Sequence, residues 1–357
     1  MSHAYGYAGK ILRVDLTTGK ISTAPTDNYS GGFLGGRGIA ARIHWDEVPP
    51  YIHPFDPENR LVFMTGPVCG VPGFSGSRWQ VSGKSLSNNS FTYCNLGGSW
   101  GAQLKFAGYD GLVIHGKAEK LSYLIINDEN AALKDASDLK GKGAIDTREM
   151  IKNELGKTFR VVAIGPAGEN RVAFATMTAD MDSSGSAGLG AVMGSKNLKA
   201  IVVRGQGKVE IADNEKIKLL RRKIKKIKLK VGPESWPTSL PQERIKKEIC
   251  FGCISGCIRS AYSAKNGSVG KYICQSAFFY EARAQRYYGE VTEVPFHANK
   301  MCDNLGLDTR AVETMVMWLS RCHKSNTLTE KETGIPFSKI GSMAFIETLL
   351  NKIAFRE

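Results

Sequence analysis

The chain has no apolar run approaching the roughly 18–20 residues a bilayer-crossing helix needs, so no membrane span is expected in its 357 residues. The N-terminal stretch MSHAYGYAGKILRVDLTTGK has no apolar segment between a basic start and a small-residue cleavage site, so it does not read as an export signal. A reducing, cytoplasmic location is therefore the expectation, and disulfides are not. No tandem repeat is present, and the only biased segment is one basic run. Histidine is scarce, with six in the chain. None is paired at a spacing that completes a zinc site, and there is no second C-x-x-C.

What is present is a 42% hydrophobic composition, enough for a sizeable core, and a net charge of +14. The charge is concentrated. Residues 216–230, KIKLLRRKIKKIKLK, hold nine Lys or Arg and no acid, and without them the net charge is an ordinary +5. Ile217, Leu220, Ile224, Ile227 and Val231 fall on one helical stripe in this run. Such a helix reads either as a solvated face or as a surface for an acidic electron-transfer partner. No nucleic-acid motif accompanies the charge, so nucleic acid is not expected as a partner.

Residues 8–25 read as two short strands around Thr18–Gly19–Lys20. Strands are expected at 61–65, 78–82, 111–115, 121–127, 161–164 and 198–203, with helices at 38–45 and 145–155. Helical spacing dominates after Lys208. Three regions follow: residues 1–208, a β-rich α+β domain; 209–249, a basic helix and linker; and 250–357, a helical region with a cysteine cluster.

Of eight cysteines, Cys69, Cys94, Cys274, Cys302 and Cys322 stand alone, whereas Cys250, Cys253 and Cys257 form C-F-G-C-I-S-G-C. Spacing of two and then three lets one loop wrap a metal centre, with Gly252 and Gly256 permitting tight turns. An iron–sulfur cluster, which takes cysteine thiolates, is the first reading. Zinc and three unligated cysteines remain the alternatives.

The segments 35–70, 76–118, 163–177 and 188–203, then CFGCISGC and CDNLGLDT, resemble in fixed order the tungsten-pterin aldehyde ferredoxin oxidoreductase family. The resemblance implies stacked β-sheets in the N-terminal domain, then a mainly α-helical domain that is expected to be truncated here. It also implies a 4Fe–4S cluster on Cys250, Cys253 and Cys257 and a tungsten (or molybdenum) bis-pterin with Mg between the pterin phosphates. Arg78 matches the family arginine whose fork suits phosphate. Asn95, before Gly97 and Gly98, matches a residue whose carbonyl faces magnesium, a cation that prefers oxygen. Ser183 or Ser184 offers a second carbonyl. The arginine-rich turn of the family, approximately R-x-x-G-R-G-G, is replaced here by Asp182-Ser-Ser-Gly185-Ser-Ala-Gly188, which weakens an anion site.

Asp303, Gly306, Leu307 and Asp308 match the first D-x-x-G-L-D pterin motif; read without the family, the same residues look like a helix end closed by glycine. Glu281, after Tyr280, matches a family glutamate near the metal and would act as general acid or base. Where family homodimers carry an E-x-x-H metal pair, this sequence has His297 and Lys300, so no shared inter-subunit iron is expected. The aromatic stretches 272–280 and 287–291 look closer to the branch of the benzoyl-CoA reductase tungsten subunit. The second D-x-x-G-L-C motif, source of the fourth thiolate, is absent. Implied partners are a ferredoxin or other iron–sulfur protein, and either a second copy or a complementing C-terminal chain.

Overall fold

The computed structural model describes residues 5–227, 238–254, 256–272 and 275–357. Val231, the end of the basic run, the first half of the linker after it, and Cys274 lie outside the described residues.

Six strands form the first sheet: β1 (Lys10–Asp15), β2 (Ile21–Pro25), β3 (Leu61–Met64), β4 (Trp79–Ser85), β5 (Ser90–Leu96) and β6 (Gly111–His115), in the order β2-β1-β6-β3-β4-β5. The second holds β7 (Ser122–Asn127), β8 (Asn130–Asp135), β9 (Arg160–Ile164), β10 (Met177–Ala179), β11 (Ser183–Gly185) and β12 (Leu198–Arg204), in the order β11-β10-β9-β12-β7-β8. Both sheets mix parallel and antiparallel pairs.

Strand alternation explains how the layers stack. Leu12, Val14, Leu61, Phe63, Leu112 and Ile114 of the first sheet meet Val162, Ile164, Ile201 and Val203 of the second in one core. The opposite face, with Ile11, Val62, Met64 and Val113, packs on Ile39, Ala40 and Ile43 of α1 (Gly36–Glu47). A short helix α2 (Trp100–Phe106) enters the central core, where Trp100 lies 4.3 Å from Trp79 between ring centroids. Behind the second sheet, Val161, Ala163, Ala200 and Val202 pack on Ala144 and Ile151 of α3 (Ala144–Leu155). Covered on both faces, β3, β9 and β12 read as continuous apolar runs. A buried helix α4 (Leu189–Ser195) precedes β12.

The later helices are α5 (Asn214–Ile227), α6 (Glu281–Tyr288), α7 (Val294–Leu305), α8 (Thr309–Lys324) and α9 (Met343–Phe355). A second core joins α6 to α9 with Ala167, Val172, Ala175 and Ala191 of the preceding domain. The helical reading after Lys208 needs one correction. A three-stranded antiparallel sheet, β13 (Ile245–Lys247), β14 (Ser260–Ser263) and β15 (Val269–Lys271), brackets the cysteine motif. These strands are three or four residues long, too short for period-two alternation to show. The strands β5 and β8 were likewise not anticipated; their mixed exposed and half-buried residues give no apolar alternation. Among the described residues, no helix is long and apolar enough to cross a membrane.

Candidate redox-cofactor site

The three-cysteine motif is the excursion between β13 and β14. Its base is closed by the Lys247–Ser260 pairing and by Glu248 N–H donating to the Arg259 carbonyl at 3.0 Å. The loop is pressed onto the N-terminal domain by backbone contacts. Phe251 N–H donates to Gly98 O at 3.0 Å, and Gly73 N–H donates to Gly252 O at 2.7 Å. The Ser77 hydroxyl donates to Phe251 O, and the Phe251 ring meets Phe106 edge-on at 5.4 Å. Gly98 N–H also points at the Cys250 sulfur, 3.2 Å away. Gly252 and Gly256 take φ of 63° and 56°, the left-handed region that glycine enters without penalty. The N–H that reaches a sulfur thus comes from Gly98, on another domain, rather than from the loop's own glycines. Cys250 and Cys253 are half-buried and Cys257 is exposed. Among the described residues, no three Cys, His, Asp or Glu side chains converge as a metal site would.

Burial separates these thiols from the others. It pushes Cys69 and Cys94 up to about 12 and Cys302 well above its ordinary value. These three behave as core side chains and are poor thiolate donors.

Gly97 and Gly98 are the hinge of the site. Gly97 N–H donates to Ser183 Oγ at 2.7 Å, and Gly97 O accepts from the Trp79 indole at 3.1 Å. The Asp180 carboxylate accepts from Ser99 N–H at 2.8 Å and Trp100 N–H at 3.2 Å, fixing the start of α2. A Cβ at Gly97 would lie 2.8 Å from the Cys250 sulfur. Gly97→Ala must therefore displace Cys250, and the iron bound per reconstituted chain should fall several-fold. Circular dichroism should stay unchanged; full iron loading in G97A would contradict this assignment of Gly97.

The chain then passes through two consecutive left-handed residues, Met181 (φ 57°) and Asp182 (φ 51°). Such non-glycine conformations cost about 1–3 kcal/mol each and persist only where surroundings enforce them. Here the surroundings are ionic. Asp182 meets Lys300 Nζ at 2.5 Å and Arg148 at 2.9 Å, and accepts from Lys271 N–H at 3.2 Å. Arg259 donates to the Met181 carbonyl. Lys271 Nζ continues the chain of contacts to Ser184 Oγ at 2.9 Å and Asp303 at 3.3 Å. Asp303 also accepts from Asn299 at 3.3 Å, and burial pushes its carboxyl pKa up against the opposing pull of Lys271. The acid that stands in the 182–188 turn is thus neutralised by cations from α3 and α7, with the β15 lysine beside it.

The remaining candidates divide. Arg78, just before β4, is exposed and forms no ion pair among the described residues. The Asn95 side chain accepts from Gln80 across the β4–β5 pair at 2.6 Å. Gly306 (φ 79°) caps α7, its carbonyl accepting from Thr176 N–H at 2.8 Å. Leu307 bridges to Ala175. Asp308 caps α8 by accepting from Arg310 N–H at 2.8 Å. Glu281 heads α6, and its carboxylate accepts from Ser239 N–H at 2.7 Å. It joins none of the contacts around Gly97 or Asp182. Arg148, Lys271 and the Gly98 N–H to sulfur contact were not anticipated. Only the acid at Asp182 where the family has arginine, and Lys300 where it has histidine, each odd by itself, hinted that they answer one another.

The residues fit the two implied groups unequally. For an iron–sulfur cluster, three thiols sit on one glycine-turned loop with an N–H already directed at one sulfur. For pterin phosphates and magnesium, Asn95 and Ser183 lie on adjoining segments tied by the Gly97 bond, and Arg78 is available. For a pterin ring, Asp303 as placed is not presented: it is 3% exposed and closed on Lys271 and Asn299.

Comparison with known proteins identifies the family. The family model for the aldehyde ferredoxin oxidoreductase N-terminal domain matches residues 11–205, and that for domains 2 and 3 matches residues 177–357. The tungsten-containing aldehyde ferredoxin oxidoreductase of Pyrococcus abyssi is 33% identical over 99% of this chain and 65% of its own length. That of Pyrococcus horikoshii is 45% identical over 63% of this chain and 38% of its own. Among solved structures, the active-site complex BamBC of benzoyl coenzyme A reductase with 1,5-dienoyl-CoA matches at TM-score 0.88 and 30% identity. That match covers 99% of this chain and 61% of the other. The chain thus spans no more than 65% of the length of these relatives. A match across both halves, over sheets and helices alike, means that this chain belongs to the aldehyde ferredoxin oxidoreductase family.

Proposed function

We propose that the chain is a redox polypeptide of that family, carrying an iron–sulfur cluster on Cys250, Cys253 and Cys257 beside a tungsten- or molybdenum-pterin held on the N-terminal domain. The observation that carries this reading is the 3.2 Å contact from Gly98 N–H to the Cys250 sulfur. It seats the cysteine loop on the segment that the resemblance assigns to the pterin phosphates. When bound, the cluster supplies one-electron transfer and the pterin-held metal supplies the chemistry of an aldehyde, oxo group or aromatic acyl thioester.

The chain's own residues have definable parts. The Gly98 N–H stabilises sulfur charge and so tunes the cluster potential. Phe251 against Phe106 shields one side of the loop from water. Arg78 would pair with phosphate, with the carbonyls of Asn95 and Ser183 or Ser184 turned to magnesium. Asp303 would accept from pterin ring amines once Lys271 turns away, with Gly306, Leu307 and Asp308 shaping the helix junction below it. Glu281, freed from Ser239, would exchange a proton with substrate. The fourth thiolate would come from a second chain that completes the site, either a second copy or a complementing C-terminal chain. A reducing cytoplasm keeps such thiols available.

A second reading, a cluster-carrying subunit without pterin, is favoured by the closure of Asp303 on Lys271. Anaerobic purification with analysis of iron, sulfide, tungsten, molybdenum, zinc and pterin separates the two. Iron and sulfide with pterin and tungsten or molybdenum are expected on the first reading. Iron and sulfide alone support the second. Stoichiometric zinc without visible absorption rejects both.

A further inference from the structure

The helix α5 reaches Gly73, which is bonded to the cysteine loop, and yet packs almost nothing. None of its residues is buried. Leu219 and Leu220 are 52% and 44% exposed. Its described cations are Lys216, Lys218, Arg221, Arg222, Lys223, Lys225 and Lys226. Lys216 and Lys218 pair with Asp213 and Glu215; the other five form no ion pair among the described residues. A helix so charged on itself is held here at the cost of mutual repulsion.

Its position gives the charge a use. The Arg221 side chain lies so close to Gly73 that a Cβ there would come within 2.4 Å of it. Gly73 N–H donates to Gly252 O, in the cysteine loop, at 2.7 Å. The middle of α5 is therefore linked to the cysteine loop through Gly73 and Gly252, the chain neighbour of Cys253. The Lys247 side chain of β13 lies against Gly256 in the loop, and Cys257 and Ile249 are exposed. The thiol loop thus has the Lys247 side chain against it and α5 one hydrogen-bonded glycine away.

We infer that α5 and the cysteine loop together form the docking face for an acidic protein bearing its own one-electron centre. The inference rests on the proposed cluster. Each encounter would move one electron between the partner's centre and that cluster, one oxidised as the other is reduced. Charge complementarity draws the partner in and orients it, while the small apolar patch of Leu219 and Leu220 limits affinity and permits fast release. A membrane fits less well: residues 214–227 contain no aromatic side chain to anchor at the interface, and a bilayer has no reason to select the thiol loop. Nucleic acid lacks the stacking aromatics it would use.

The test is anaerobic binding of the purified chain to an immobilised small acidic two-cluster ferredoxin at about 50 and about 300 mM NaCl. Two charge-matched triple variants are compared: Arg222→Glu/Lys225→Glu/Lys226→Glu on α5, and Lys134→Glu/Lys140→Glu/Lys157→Glu on the opposite domain. Binding is expected to weaken about tenfold with salt and at least tenfold in the α5 variant, but less than about twofold in the control. Equal losses in both variants overturn the proposal, because net charge alone would then explain them. So does absence of ferredoxin binding alongside α5-dependent binding to phosphatidylglycerol vesicles or to duplex DNA. Iron is measured on the same samples. Ferredoxin binding without iron retains the docking face and rejects the cluster, whereas iron without α5-dependent binding does the reverse.

Discussion

Serine at Cys250, Cys253 and Cys257 together will remove iron and sulfide from the chain, from about four irons per reconstituted cluster to none. The absorption near 400 nm should vanish with them. Serine oxygen is a poor substitute for a cysteine thiolate as an iron ligand, and Cys69, Cys94 and Cys302 cannot take over while burial keeps them protonated. The fold should survive. The loop is held by Phe251 N–H to Gly98 O and Gly73 N–H to Gly252 O, neither of which involves a sulfur. Among the described residues the contacts that change are Gly98 N–H to Cys250 Sγ, worth about 1 kcal/mol, and the long Cys253 Sγ to Ser75 Oγ contact at 3.8 Å. The melting temperature of the variant should therefore match that of the metal-free wild type within a few degrees. Undiminished iron in the triple variant would remove these cysteines from the site.

Asp182→Asn should be the most destabilising single change in the chain's polar network. It leaves Lys300 and Arg148 facing an uncharged amide in a buried setting, and breaking such a cage typically costs about 3–5 kcal/mol. Release of the left-handed backbone at Met181 and Asp182 offsets part of this. Lys300→Met should cost less, because Arg148 and the Lys271 N–H still serve the carboxylate. The pH dependence follows from charge. Burial acts to raise the Asp182 pKa, but Lys300 and Arg148 outweigh it and hold the carboxyl well below its usual range. A depressed folded-state pKa means the stabilisation is complete above the unfolded value near 4 and is lost progressively as pH falls below it. Urea titrations from about pH 7 to about pH 3 should show wild type losing its advantage over D182N in acid. Parallel profiles, or a difference under about 1 kcal/mol at neutral pH, would show that the cage does not act as a unit.

Legibility in the sequence varied by element. The strands β3, β9 and β12 were plain because both faces are covered, so most of their residues are apolar. The helices α1 and α3 were found by their spacing, with ends within a few residues. The strands β13 to β15 were not, since they are held mainly by pairing across a loop. The glycine and caps of α7 and α8 were also foreseen as a structural alternative, and the structure uses Gly306 and Asp308 in that way. No reading of the residues alone anticipated Lys271 or Arg148. Each is one cation among 48 Lys and Arg, and nothing local distinguishes it.

The cysteine spacing and the order of the family motifs were determined by the sequence alone, because both are relations along the chain. So was the concentration of charge in residues 216–230. Only the tertiary structure decided what those features face. It set the loop against Gly97 and Gly98 and placed α5 over Gly73. It also answered the acid at 182 with cations 34 residues before it and 118 after it. Electrostatics and hydrogen bonding act through space, and partners so far apart in the chain become neighbours only once two sheets and a helical core have packed.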